Sequence, residues 1–204
     1  MKIEAIKNVN ITILFSSPIN HLLILQKDLL NLFKTGDPQK DKHTFIEAPG
    51  LKVLIFPNRQ KEIVFEANRV LVSEKTGNLP RESEIIDDLQ KLTAKNIIEQ
   101  DKIAAYGFNY DIVVVPENRD FNINDFMGSK ISTIGEDIKS FGFNLVFDKN
   151  NIKYTFGIKP IGNGEQKFVA HLNAHFAKES LNFEELKKEI ITHFEKIKNI
   201  IKKL

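Results

Sequence analysis

The run over residues 102–115, KIAAYGFNYDIVVV, is the longest strand-like segment of the chain and stands at its middle. Within it Tyr106, Phe108, Tyr110, Ile112 and Val114 alternate with Gly107, Asn109 and Asp111. Successive side chains of a strand point to opposite faces, so this run has an aromatic and aliphatic face for a core and a polar face turned away from it. A chain built around such a strand needs a sheet, and helices to cover the sheet's apolar side.

The remaining segments supply both. Residues 7–15 are rich in β-branched and aromatic types, which suits a first strand. Residues 43–48, 51–56, 61–66 and 69–74 form a meander broken by Pro49-Gly50, by 57–60 and by Ala67-Asn68, and residues 61–74 also fit one bulged strand. Residues 143–147, 151–158 and 167–177 give three more strands. Ser17-Pro18 predicts a helix start, with Leu22, Leu25, Leu29 and Leu32 as its inner stripe and Gly36-Asp37-Pro38 as its end. Further helices are predicted over residues 82–100 and 123–140 and in the final segment. There Asn182 and Glu185 form a capping pair, and Leu186, Ile190, Phe194, Ile197, Ile201 and Leu204 form a buried stripe.

Read in order, the elements run β-α-β4-α and then β-α-β3-α. This predicts an α+β fold of two tandem related halves, residues 1–101 and 102–204, packed as one compact unit. Antiparallel sheets with helices packed on one face are expected, as in helix-on-sheet saddle or helix-grip architectures. No residue motif of a known family accompanies that order.

Composition excludes several classes of function. The chain has no cysteine, so disulfides, thiolate metal sites and cysteine nucleophiles are absent. The 29 basic and 27 acidic residues leave a net charge of only +2, unlike the strongly basic bodies that phosphate-dominated binding recruits. Charges at Lys2, Glu4 and Lys7 break up any signal-peptide pattern, and polar residues interrupt the most apolar stretch, residues 11–33. A cytoplasmic protein with no membrane partner is expected. The chain lacks GxxxxGK[ST], GxGxxG, GxSxG and HExxH patterns. No cofactor is expected.

His171-Leu172-Asn173-Ala174-His175 is the sharpest chemical cluster. On a helix, histidines at i and i+4 could share a metal, but the alternation from Phe168 to Ala177 is that of a strand, so no metal site is expected. His171 and His175 are instead candidates for acid–base catalysis with Asp111. Asn109 and Asn173 are candidate ligand-binding residues on the same polar faces. Tyr106 and Tyr110 are candidates for stacking a ligand or a nucleic-acid base, their plainer role being core. Gly128, Ser132 and Gly135 leave one side of the predicted 123–140 helix nearly bare, which suits a homodimer interface. Lys196, Lys198, Lys202 and Lys203 could contact phosphates or a membrane surface, or could be the solvated side of a terminal helix. His21, His43 and His193 stand alone and suit surface or structural roles.

These features favour a non-enzymatic binding or assembly module for a protein partner or small ligand. Nucleic-acid binding through a concave sheet face and an enzyme with a His/Asp acid–base site are the alternatives.

Overall fold

The computed structural model describes residues 1–117, 142–162, 167–178 and 180–204. Strand β1 (Lys2–Phe15) ties the molecule together because it pairs along both of its edges. On one side it meets β5 (Arg69–Glu74), which continues through β4 (Lys61–Glu66) and β3 (Leu51–Phe56) to the edge strand β2 (Thr44–Ala48). On the other side it meets β6 (Ile103–Val115), followed by β9 (Phe168–Phe176), β8 (Ile152–Pro160) and the edge strand β7 (Phe143–Lys149). The result is one nine-stranded sheet in the order β2-β3-β4-β5-β1-β6-β9-β8-β7, with every pairing antiparallel.

This corrects the expectation of tandem halves in a saddle or helix-grip arrangement: among the described residues the sheet is single and not closed, and no tandem β-α repeat is shown. Element order along a sequence leaves strand pairing undetermined. The first expected helix is cut short, and the second expected repeat needs the 123–140 helix, which lies outside the described residues together with Gly128, Ser132 and Gly135.

Three helices are described, α1 (Gln26–Phe33), α2 (Ile85–Ala94) and α3 (Phe183–Ile201), all on one face of the sheet. The face they cover is the one the alternation predicts: Val9, Ile11 and Ile13 of β1 lie opposite Tyr110, Phe108 and Tyr106 of β6, all nearly or fully buried. The start of α3 agrees with its sequence signal, since the Asn182 side chain accepts hydrogen bonds from the Glu184 and Glu185 amides at 3.1 and 3.3 Å. Its Leu186, Ile190, Phe194, Ile197 and Ile201 are at most 3% exposed, and burying each contributes about 1.5–3 kcal/mol.

The helix expected from Ser17-Pro18 is shorter than its leucine stripe suggests. Asn20 accepts a hydrogen bond from the Leu22 amide at 3.1 Å and closes a single 3-10 turn over His21–Leu23. The α-helix begins only at Gln26, so Leu22, Leu23 and Leu25 are exposed while Ile24, Leu29 and Phe33 enter the core. Likewise α2 covers residues 85–94 of the expected 82–100, and it ends where Asn96 turns to a positive φ of 53°. Residues 61–74 form two strands joined by a turn rather than one bulged strand. No described helix is long and apolar enough to cross a membrane.

Candidate functional site

The face of the sheet opposite the helices carries the polar partners of the core residues. In β6, Gly107, Asn109 and Asp111 lie there because Tyr106, Phe108, Tyr110 and Ile112 face the other way. In β9 the same alternation brings Val169, His171, Asn173 and His175 to this face. The β6–β9 register sets Asp111 opposite His171, Asn109 opposite Asn173 and Gly107 opposite His175. Across the β1–β6 pairing, Asn8 meets Asp111, Asn10 meets Asn109 and Thr12 meets Gly107. Three rows of polar positions therefore cross the middle of the sheet.

Side-chain hydrogen bonds bind two of these rows into ladders. In one, Asn173 Nδ2 donates to Asn109 Oδ1 at 2.6 Å, and Asn109 Nδ2 donates to Asn10 Oδ1 at 2.8 Å and Thr12 Oγ1 at 3.4 Å. In the other, Ser73 Oγ donates to Asn8 Oδ1 at 2.8 Å and Asn8 Nδ2 donates to Asp111 Oδ2 at 3.1 Å, while His171 Nδ1 meets Asp111 Oδ1 at 2.7 Å. Burial of Asp111 opposes its ionised form. The hydrogen bonds from His171 and Asn8, with the charges of His171 and Lys159, outweigh that effect and hold the carboxyl below its ordinary value.

The ladders floor two shallow depressions. One, of about 400 Å³, lies over Asn10, Thr12, Asn109 and Asn173, with Arg69 and His175 at its sides. Gly107 keeps that floor low: a Cβ there would stand 3.1 Å from the Ala174 carbonyl oxygen and 3.4 Å from Asn173 Nδ2. The second, of about 620 Å³, lies over Asn144, Gly157, Lys159 and Val169. His171 borders both. Its Nδ1 is engaged by Asp111, which leaves Nε2 as the nitrogen that faces a visitor. Arg69 Nε has no hydrogen-bond partner among the described residues.

Of the residues singled out from sequence, Asp111, His171, Asn109, Asn173 and His175 come together on this face. Tyr106 and Tyr110 do not. They lie beneath α3, where the Tyr106 hydroxyl donates to Glu189 Oε2 at 2.8 Å and the Tyr110 hydroxyl to the Ile190 carbonyl oxygen at 2.6 Å. Burial, and next to it the Glu189 carboxylate, raises the pKa of both phenols. The stripe of Tyr106, Phe108 and Tyr110 is therefore core and offers no surface for base stacking. Sequence reasoning missed Asn8, Asn10, Thr12, Ser73 and Arg69. The alternation of Asn8, Asn10 and Thr12 with Val9, Ile11 and Ile13 was the available signal for the first three.

His171 and His175 stand four positions apart on one strand, about 13 Å at the usual rise per residue, too far to share an ion. Among the described residues no three His, Asp or Glu side chains are grouped to hold a metal. No protein-family model matches the chain, and no curated protein matches it in sequence.

Proposed function

We propose that the chain is a non-enzymatic binding protein that holds a small polar ligand on the helix-free face of its sheet. One observation carries this reading. The Asn173–Asn109–Asn10 ladder fixes a row of amides at the floor of a depression whose walls bring Arg69 and His175. Amides held in place by one another lose little further freedom when a ligand arrives, so their hydrogen bonds cost less entropy than those of free side chains. The depression is in the size range of small-molecule sites. In its wall Arg69 Nε has no partner among the described residues, although the other end of the guanidinium pairs with Glu66, and this favours a hydroxylated ligand that also brings an acceptor oxygen.

The test is a titration of isotope-labelled protein with a panel of hydroxy acids, amino acids and monosaccharides, followed by NMR at the side-chain amides. Binding should shift the NH2 signals of Asn10, Asn109 and Asn173 and the Gly107 amide together. Shifts that appear only elsewhere, or none with any probe, would remove the proposal.

The His171–Asp111 contact at 2.7 Å favours a second reading, an acid–base enzyme. A carboxylate on Nδ1 orients the ring and supports a proton on it, leaving Nε2 to take a proton from a substrate or water. In that case replacing His171 with Gln abolishes turnover of a bound compound while leaving its affinity nearly unchanged. In the binding reading no compound that binds is turned over at all.

A further inference from the structure

Many lysines of this protein are neutralised by a neighbouring carboxylate, and four that are not stand together. Lys52, Lys61, Lys75, Lys91, Lys102, Lys167, Lys178, Lys187 and Lys198 each lie within 4.0 Å of a carboxylate. Lys149, Lys196, Lys202 and Lys203 form no ion pair among the described residues, yet they border one cavity of about 680 Å³ between the β7–β8 turn and the end of α3. The carboxylate of Glu195 borders it too, and Lys198 engages that group at 2.7 Å. Other lysines without an ion pair among the described residues, such as Lys2 in β1, Lys27 in α1 and Lys153 in β8, lie on separate elements, whereas these four share one cavity.

The cradle is partly preorganised. Lys196 Nζ lies 3.4 Å from the centre of the Tyr154 ring and 5.2 Å from that of Phe147, two rings that stack on each other 5.2 Å apart. The Tyr154 hydroxyl meets His193 Nδ1 at 3.1 Å, so the ring under Lys196 is itself held. Burial, and after it the charge of Lys149, lowers the pKa of Lys196, as expected of an ammonium lacking a counter-charge. The end of α3 brings about half a negative charge, which draws lysines to that end but is far less than four ammonium groups.

We infer that this cradle is a binding site for a soluble small molecule carrying more than one phosphate. Several ammonium groups around one cavity match an anion with charge spread over many oxygens, and lysine binds phosphate as a point charge. The cavity is larger than one phosphate ion, which favours an oligophosphate or a phosphorylated metabolite. The site lies at the β7–β8 end on the helix-covered side, apart from the polar ladders, so it stands or falls independently of them.

The test is calorimetric titration with inorganic tripolyphosphate at low ionic strength, where charge–charge attraction is least screened. The wild type should bind one tripolyphosphate per chain, and Lys149→Gln with Lys202→Gln should weaken binding by at least about tenfold, the loss expected for two charge-assisted contacts. A variant with Lys178→Gln and Lys187→Gln, which removes two paired lysines elsewhere, should bind as the wild type does. Lys196→Gln serves as the second variant, its melting temperature separating a lost site from a lost fold. Absence of binding, or equal weakening in the control variant, overturns the inference. Tighter binding to phosphatidylserine vesicles or to a single-stranded RNA oligonucleotide than to tripolyphosphate overturns it as well, because the phosphate would then come from a membrane or a nucleic acid.

Discussion

The Lys61 ammonium of β4 and the Asp88 carboxylate of α2 meet inside the molecule, with side chains 2% and 0% exposed. Lys61 also donates to Glu84 Oε2 at 2.8 Å, and Lys91 reaches Asp88 Oδ1 at 3.2 Å. The contact clamps α2 onto the sheet. Removing one member of a buried pair strands the other's charge, which typically costs about 3–5 kcal/mol, whereas replacing both with apolar groups is often close to neutral. Lys61→Met should therefore lower the free energy of unfolding by that amount, and adding Asp88→Leu should restore much of it. Urea denaturation of the four proteins of the cycle measures the coupling, and simple additivity would contradict it.

His193, on the inner side of α3, is 3% exposed and packs against Phe108, Phe176 and Tyr154 of the sheet. Burial, then the charge of Lys196, lowers its pKa from 6.5 to about 4. A group with a depressed folded value contributes stability that is fully present above its unfolded value and is lost as pH falls towards the folded one. The wild type should thus lose about 3 kcal/mol between pH 6.5 and about pH 4 from this residue alone. His193→Gln keeps an acceptor for the Tyr154 hydroxyl and should flatten that part of the curve. The same slope in both proteins would show that the imidazole does not titrate this way.

Asn109 makes three side-chain hydrogen bonds, to Asn10, Thr12 and Asn173. Asn10 is only 6% exposed, so its carbonyl oxygen has little water to turn to. Asn109→Ala should destabilise by about 1–3 kcal/mol, the cost of stranding a buried polar partner. Asn173→Ala removes the outer end of the ladder, beside solvent, and should cost less. Thermal melts of the two variants settle the order.

Asp111 is held below its ordinary value of 3.8 despite its burial, mainly by hydrogen bonds from His171 and Asn8. Its contribution to stability is present above that ordinary value and is lost as pH falls through the lower folded one. Asp111→Asn should be less stable than the wild type at neutral pH, with the gap closing only in the acid range. Denaturation curves over a pH series test this, and a gap that is constant with pH would exclude the carboxylate's role.

Much of the site was legible as periodicity. The alternation from Tyr106 to Val114 and from Phe168 to Phe176 is enough to put Asn109 with Asp111, and His171 with Asn173, on faces turned from the core. It could not show that these faces are one. The His171–Asp111 contact joins residues sixty positions apart through the β6–β9 register, and strand pairing is non-local. The terminal helix was readable because its cap is local to Asn182, Glu184 and Glu185. The first helix misled because the leucine spacing from Leu22 to Leu32 is helical while Asn20 closes a competing turn. His193 gave no warning of its burial, since a lone histidine within a helical pattern has no sequence signature of what packs on it.

The pairing of β1 with β6 has a consequence for how the chain comes off the ribosome. Val9 lies opposite Tyr110, so the first strand is complete about a hundred residues before the strand that covers its second edge is made. At ordinary synthesis rates of about 5–20 residues per second this is a wait of roughly 5–20 s. During it β1 can pair with β5 within the first 74 residues, but its other edge stays open to any strand that passes. Nascent chains stalled before residue 103 should therefore be the most aggregation-prone intermediates of this protein, and those long enough to emit β6 markedly less so.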